Sequence, residues 1–96
     1  MPGFIEGFMH DGKRYAHYIF ASEDDRIELQ NDKGECLLTH TARCDVITPA
    51  GKHVGFWNMR DCLWNFHYNG KVLAYGRDLL AAEVEVSKLY LKGGLE

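Results

Sequence analysis

The residues best suited to acid–base chemistry in this chain are Glu6 and His17, which flank an Asp11-Gly12 dipeptide. Asp-Gly favours a two-residue hairpin turn, and such a turn places Glu6 and His17 directly opposite each other on one face of a sheet. A carboxylate in that position could orient an imidazole to act as a general base. The competing interpretation is an ordinary ion pair at the sheet surface, because most cross-strand pairs do no chemistry.

The rest of this hairpin face provides little to stabilise the charge that develops in a reaction. Tyr15 is the only neutral hydrogen-bond donor near the pair, and no serine or asparagine occurs in the hairpin. A catalytic pair needs such groups around a substrate-sized pocket. We therefore expect Glu6 and His17 to be partly exposed and to lie apart from the largest pocket, which makes a small acid–base enzyme the alternative function rather than the first.

Five histidines and three cysteines raise the question of a metal site, but their spacing argues against one. On a hairpin, His10 and His17 lie roughly 13 Å out of register, and the four-residue separation of His40 and Cys44 suits chelation only on a helix. The cysteines match neither a CxxC pair nor a zinc knuckle, which predicts reduced thiols and no metal or cofactor. A metal-binding protein remains a weaker alternative, with a site assembled across the fold from His40, His53, His67, Cys36, Cys44 and Cys62.

Aromatic residues are the most informative material, because twelve of them exceed what a small core needs. Both faces of the first predicted hairpin carry large apolar groups, with Phe8 and Tyr15 on one face and Ile5, Met9 and Tyr18 on the other. Something must cover the second face. It could be the C-terminal segment of the chain, a second subunit, or a small ligand held in an aromatic-lined cavity.

A second aromatic feature is Trp57, which falls on the polar side of its hairpin if Val54 and Phe56 face inward. Arg43 is then its predicted cross-strand neighbour, so a guanidinium would stack over the indole. Such a pair can anchor a ligand or an interface, or it can simply shield the sheet edge. The predicted ligand or interface residues are Trp57, Arg43, Phe8, Tyr15, Tyr18, Trp64 and Tyr75.

Glycine followed by lysine or glutamate recurs four times between apolar and β-branched runs. Each occurrence predicts a hairpin turn, because glycine adopts the positive φ that short turns require. The turns are Asp11-Gly12-Lys13, Lys33-Gly34-Glu35, Ala50-Gly51-Lys52 and Asn69-Gly70-Lys71. Successive hairpins predict an all-β antiparallel meander that forms a small barrel, a roll or a two-sheet sandwich.

Counting back from the turns predicts which residues face one another across each hairpin. The inward positions expected from this count are the pairs Leu29–Leu37, Cys44–Phe56, Val46–Val54, Trp64–Tyr75 and Phe66–Leu73. Asn65 and His67 should point to the opposite, solvated face.

The C-terminal stretch permits two interpretations. Alternation over Glu83-Val84-Glu85-Val86 favours a strand in a chain that is already β-rich. The alternative is a helix capped by Asp78 and ended by Gly93, with an apolar stripe formed by Leu79, Ala82, Val86 and Leu89, which would make the fold β-rich α+β.

With 96 residues and 46% apolar composition, the chain can build one core, so residues 1–94 are predicted to form a single domain. Leu95-Glu96 resembles a vector-derived tail. The net charge of −3 and the scattered basic residues disfavour nucleic acid, and no apolar run could span a membrane. The reduced thiols and the lack of a signal peptide predict a cytoplasmic location. We expect a non-enzymatic binding module, most simply a homodimer or a carrier of a small apolar or aromatic ligand.

Overall fold

The computed structural model describes residues 3–21 and 24–95, with side chains from residue 7 onward. Its eight strands pair in sequence order, each antiparallel to the next, in one curled half-barrel sheet. The predicted meander of hairpins is therefore confirmed. The elements are β1 (Gly3–His10), β2 (Lys13–Phe20), β3 (Arg26–Asn31), β4 (Cys36–His40), β5 (Asp45–Ile47), β6 (His53–Arg60), β7 (Leu63–Tyr68), β8 (Lys71–Gly76) and α1 (Leu79–Leu91).

The tightest turns have the backbone conformation that the sequence predicts. Both residues of Asp11-Gly12 and both residues of Asn69-Gly70 have positive φ, between 53° and 80°. That conformation matches the right-handed twist of the flanking strands. Asp61-Cys62 forms a third turn of this kind, with φ values of 54° and 62°, although it contains no glycine to reveal it in the sequence.

The C-terminal stretch is a helix, so the favoured strand interpretation was wrong and the helical alternative is confirmed. At the start of α1, the Asp78 carboxylate accepts a hydrogen bond from the backbone N–H of Leu80 at 3.0 Å. At the end, Gly93 has a φ of 83° and the Gly94 N–H donates to the Leu89 carbonyl. Backbone groups at both ends of α1 thus have hydrogen-bond partners close by in the sequence. Within the described ranges, no helix is long and apolar enough to cross a membrane.

The core lies between the concave side of the sheet and α1, which packs against β1, β7 and β8. Ala82 and Val86, from the predicted helical stripe, are buried there. Leu95 is only 2% exposed and returns to the same core after the helix ends, although the origin of the last two residues stays a prediction. The buried apolar residues are Ile27, Leu29, Leu38, Val46, Trp57, Phe66, Ala74, Ala82, Val86 and Leu95.

The predicted cross-strand pairs of the later hairpins were wrong, because three β-bulges shift the register. A bulge gives one strand an extra residue, so every position beyond it shifts by one and changes face. The partners found are Leu29–Leu38, Val46–Gly55 and Phe66–Ala74 instead of Leu29–Leu37, Val46–Val54 and Phe66–Leu73. In the same way, Phe56 pairs with Asp45 instead of Cys44, and Trp64 pairs with Gly76 instead of Tyr75.

Gly55 is the position where the sheet interior leaves no space for a side chain. A Cβ atom there would lie 2.4 Å from the His67 carbonyl oxygen and 2.7 Å from the Phe66 ring. We expect Gly55→Ala to lower the free energy of unfolding by about 1–3 kcal/mol, because the backbone and the ring must both move. Urea denaturation measures this change.

Gly76 is the matched control for this substitution, since a Cβ atom there meets nothing closer than 3.9 Å. Gly76→Ala should change the free energy of unfolding by less than about 0.5 kcal/mol. Equal losses in the two variants would contradict the packing of Phe66 over Gly55.

Candidate functional site

The predicted acid–base residue His17 lies inside the protein. Glu6 stands opposite His17 in the register of β1 and β2, as predicted, but the side chain of Glu6 lies outside the described residues. His17 is 2% exposed, and its Nε2 atom is 3.0 Å from the Ser87 hydroxyl of α1. The expectation that His17 would be partly exposed was therefore wrong, because the helix covers this face of the hairpin.

A second histidine contacts the same helix. Nδ1 of His40 forms a hydrogen bond with the Glu83 carboxylate, and the two residues are 7% and 5% exposed. Glu83 and Ser87 are four residues apart on α1, so they lie on one face, one turn above the other. We refer to His17, His40, Glu83 and Ser87 as the buried polar cluster.

The buried polar cluster contains groups that enzymes use, but it has no room for a substrate. A serine hydroxyl beside a histidine nitrogen is the arrangement of a nucleophile and its base. Glu83, however, contacts a different imidazole from the one that contacts Ser87. The cavity that the buried polar cluster lines has a volume of about 10 Å³, which is the space of a single water molecule. In this conformation the cluster attaches the helix to the sheet.

The alternative metal site is not assembled. Among the described residues, no group of three or more His, Cys, Asp or Glu side chains could hold a metal ion. His40 is buried, whereas the exposed His53 contacts Asp45 at 3.0 Å. All three cysteines are unpaired thiols, and burial raises the pKa of the Cys36 thiol.

Trp57 was expected on the outer side of the sheet beside Arg43, and the structure places it in the core. The indole is 2% exposed and stacks on the His40 ring, with centroids 6.1 Å apart. The bulge at Val54 in β6 moves Trp57 to the concave face. Arg43 lies exposed in the turn before β5. Among the described residues, the guanidinium that does stack on an aromatic ring is Arg26, 4.0 Å from the centroid of Phe20.

Three predicted ligand or interface residues come together on the first hairpin. Phe8, Tyr15 and Tyr18 line an open cleft of about 460 Å³, together with Met9 and Arg14. The rings of Phe8 and Tyr15 stack at a centroid distance of 5.7 Å and also pack against the core. The predicted pairing of Phe8 with Tyr15 is confirmed.

The remaining two predicted interface residues, Trp64 and Tyr75, differ in exposure. Trp64 is half-buried against the core. Tyr75 is 71% exposed, the highest value among the large hydrophobic residues of the described chain, because the bulge in β8 puts Ala74 inward in its place. The inward position expected for Tyr75 was therefore wrong.

Tyr75 belongs to an exposed apolar surface at the last strand of the sheet. Phe56, Val72 and Leu73 are 43%, 46% and 39% exposed. Phe56, His67 and Val72 are successive cross-strand neighbours over β6, β7 and β8. Neighbours of this kind lie in one row on the same face. We call Phe56, Val72, Leu73 and Tyr75 the β8 patch.

The β8 patch has a rigid part and an open edge. The rings of Phe56 and His67 are nearly parallel, at 4°, with centroids 4.6 Å apart, and His67 is fixed further by a 3.0 Å hydrogen bond between its Nε2 and Asn58. On its other side, β8 is the last strand of the sheet order, with no neighbouring strand in the described part of the chain. A fixed aromatic pair therefore lies close to unpaired strand backbone.

Comparisons with known proteins found no relative: no family model, no curated protein and no solved structure matches this chain.

Proposed function

We propose that this protein is a non-enzymatic interaction module that binds a second copy of itself through the β8 patch. The observation that carries the proposal is the adjacency of exposed apolar side chains, led by Tyr75, to the unpaired edge of β8. Apolar surface of this kind on a small protein marks an interaction site. Aromatic anchors held in place lose little side-chain entropy on binding, which favours association.

The edge of β8 has few of the features that keep other edge strands from pairing. Natural sheets protect their edges with proline, inward-pointing charges, very short strands, β-bulges or several lysines, and of these β8 has only the bulge at Leu73. β8 is six residues long and reads Lys-Val-Leu-Ala-Tyr-Gly, with Lys71 as its only charge and no proline. The backbone N–H and C=O groups of β8 that point away from β7 are therefore available to a second strand.

A second copy is the occupant that this strand sequence fits best. If β8 pairs with itself antiparallel about its centre, the bulged Leu73 of each copy lies at the middle of the ribbon. Val72 then lies opposite Tyr75 of the second copy, and Lys71 lies opposite Gly76. The apolar pair then occurs twice, and the two Lys71 side chains are at opposite ends of the ribbon. A two-fold arrangement of this kind is the commonest form of oligomer.

The buried polar cluster supports the non-enzymatic part of the proposal. Its cavity of about 10 Å³ is far below the roughly 300–1,000 Å³ of ligand pockets, so the residues with catalytic chemistry have no substrate space. The exposed surface of the protein instead carries apolar and aromatic side chains.

Light scattering at micromolar concentration tests the assembly. The protein should have about twice the 11.0 kDa mass of one chain. Tyr75→Lys should shift it to the monomer, because the substitution removes the aromatic contact and adds a charge to the edge.

Met9→Lys is the control, because Met9 is 56% exposed and lies on β1 at the other end of the sheet order. This variant should remain dimeric. A wild-type protein that is monomeric throughout the micromolar range, or a dimer lost in Met9→Lys and kept in Tyr75→Lys, would contradict the proposal.

A further inference from the structure

The antiparallel meander gathers the lysines at one end of the molecule. Alternate turns of a meander lie at the same end, so the four Gly-Lys and Gly-Glu turns share one end. α1 follows β8 back towards these turns and ends beside them. We call this region the lysine end. It carries Lys13, Arg14, Lys33, Lys52, Lys71, Lys88 and Lys92, whereas Arg26, Arg43, Arg60 and Arg77 lie towards the other end.

Two adjoining clefts open at the lysine end. The first has a volume of about 550 Å³, and apolar side chains from the sheet and the helix line much of it. The second has a volume of about 430 Å³ and shares Leu37 and Leu91 with the first. The apolar side chains of the first cleft are Leu37, Val54, Tyr90, Leu91 and Leu95.

The charged groups that line the two clefts are predominantly cationic. Lys52 lines the first cleft, and Lys13, Arg14 and Lys33 line the second, where Asp32 is the one acidic side chain among the described lining residues. In the described part of the chain, none of these four cations forms an ion pair within 4 Å. Their charges are therefore available to a ligand.

We propose that the lysine end binds an amphiphilic anion, a molecule with one carboxylate or phosphate headgroup and an aliphatic chain. The chain would lie on the apolar surface around Leu37 and Leu91, and the headgroup would lie near Lys33 and Lys52. A cleft of this volume with a mainly apolar wall and a few polar groups is the ordinary form of a small-ligand site. The site is separate from the β8 patch, so it does not depend on dimerisation.

The combination of features selects this ligand class over simpler ones. A small inorganic anion would leave the apolar wall uncovered, and a neutral hydrocarbon would leave the cations unmatched. The backbone of a nucleic acid would gain from the lysines but would find an apolar surface where it needs further polar contacts. An amphiphile covers both parts of the site.

Titration of the ¹⁵N-labelled protein tests the proposal with three probes: sodium decanoate below its micelle concentration, decanol and sodium acetate. Decanoate should shift the amide signals of the first cleft, with Val54 and Gly93 as reporters. Decanol should bind at least about fivefold more weakly than decanoate, because it has the chain without the charge, and acetate should cause no shift at these residues. Equal binding of decanol and decanoate would overturn the proposal.

A pair of charge-reversal variants locates the headgroup. Lys33→Glu with Lys52→Glu should weaken decanoate binding by about five- to tenfold, as expected for two exposed ionic contacts. Arg43→Glu with Arg60→Glu makes the same charge change at the other end and should leave the affinity unchanged. Similar losses in both double variants, or shifts confined to the β8 patch, would exclude the site.

Vesicles distinguish a single bound molecule from a membrane surface. Phosphatidylglycerol vesicles should not sediment the protein at lipid concentrations equivalent to saturating decanoate. Sedimentation with these vesicles, together with no response to decanoate, would replace the proposed ligand by an anionic bilayer and overturn the inference.

Discussion

Glu83→Ala should lower the free energy of unfolding by about 3–5 kcal/mol, since it removes one member of a buried hydrogen-bonded pair. Glu83 is 5% exposed and its partner His40 is 7% exposed, so little water can replace the missing carboxylate. The substitution leaves the imidazole in the interior without its partner and also opens space beside Val86. Equilibrium denaturation in urea, followed by circular dichroism, measures the loss.

The neighbouring residue Glu85 provides the matched control, because it lies on the same helix and is exposed. Glu85→Ala should change the free energy of unfolding by less than about 0.5 kcal/mol. Replacing both members of the pair, in His40→Leu with Glu83→Leu, should recover much of the stability lost in Glu83→Ala, because no unpaired polar group then remains. A loss below about 1 kcal/mol in Glu83→Ala would show that the pair does not hold the helix.

Trp57→Ala should have an effect of similar size, about 3–5 kcal/mol, as expected when a large aromatic side chain is removed from a packed core. The indole is 2% exposed and contacts the rings of His40 and Phe66. Its removal takes a packing partner away from both rings, and the curled sheet can collapse only partly into the space. Thermal and urea denaturation should both report the loss.

Phe56→Ala is the control for Trp57→Ala, because Phe56 is the preceding residue on the same strand and is 43% exposed on the opposite face. In the monomeric Tyr75→Lys background, we expect this substitution to cost less than about 1 kcal/mol, since much of the Phe56 ring is in water in the single chain. The comparison also tests the register of β6. If Phe56→Ala proved the more damaging substitution, the faces of this strand would be reversed.

The order of the strands could be predicted from the sequence because turn chemistry is local. Asp11-Gly12 and Asn69-Gly70 specify their turns through the positive φ that these residues tolerate. In the first hairpin the pairs Glu6–His17 and Phe8–Tyr15 are as predicted, because no bulge lies between them and the turn.

The faces of the later strands could not be predicted, because a bulge depends on packing across the sheet. Val54 and Leu73 are the extra residues of two bulges, and nothing in their residue types distinguishes them from ordinary strand positions. Each bulge moves the following residue to the other face, so Trp57 goes inside and Tyr75 goes outside. Gly55 was the available clue, since an interior glycine in a strand often marks a bulge or a close approach.

The helix was wrongly predicted as a strand, and the buried polar cluster was missed, for the same reason. The alternation of Glu83, Val84, Glu85 and Val86 indicates a strand only if both glutamates face water, and Glu83 instead faces His40 in the interior. The caps at Asp78 and Gly93 were the better signal, because they act locally. Helical spacing would also have placed Glu83 and Ser87 on one face, directed at the sheet.

The position of α1 after all eight strands affects the order in which the elements can fold. Each hairpin closes a short loop, so the sheet can form quickly from contacts between neighbours. The contacts from Ser87 to His17 and from Glu83 to His40 span 70 and 43 residues. During synthesis, which proceeds from the N-terminus, the concave face with Trp57 and Phe66 stays open to solvent until the helix is made. The risk of aggregation is therefore greatest in the interval after the eight strands have been synthesised and before α1 packs over them.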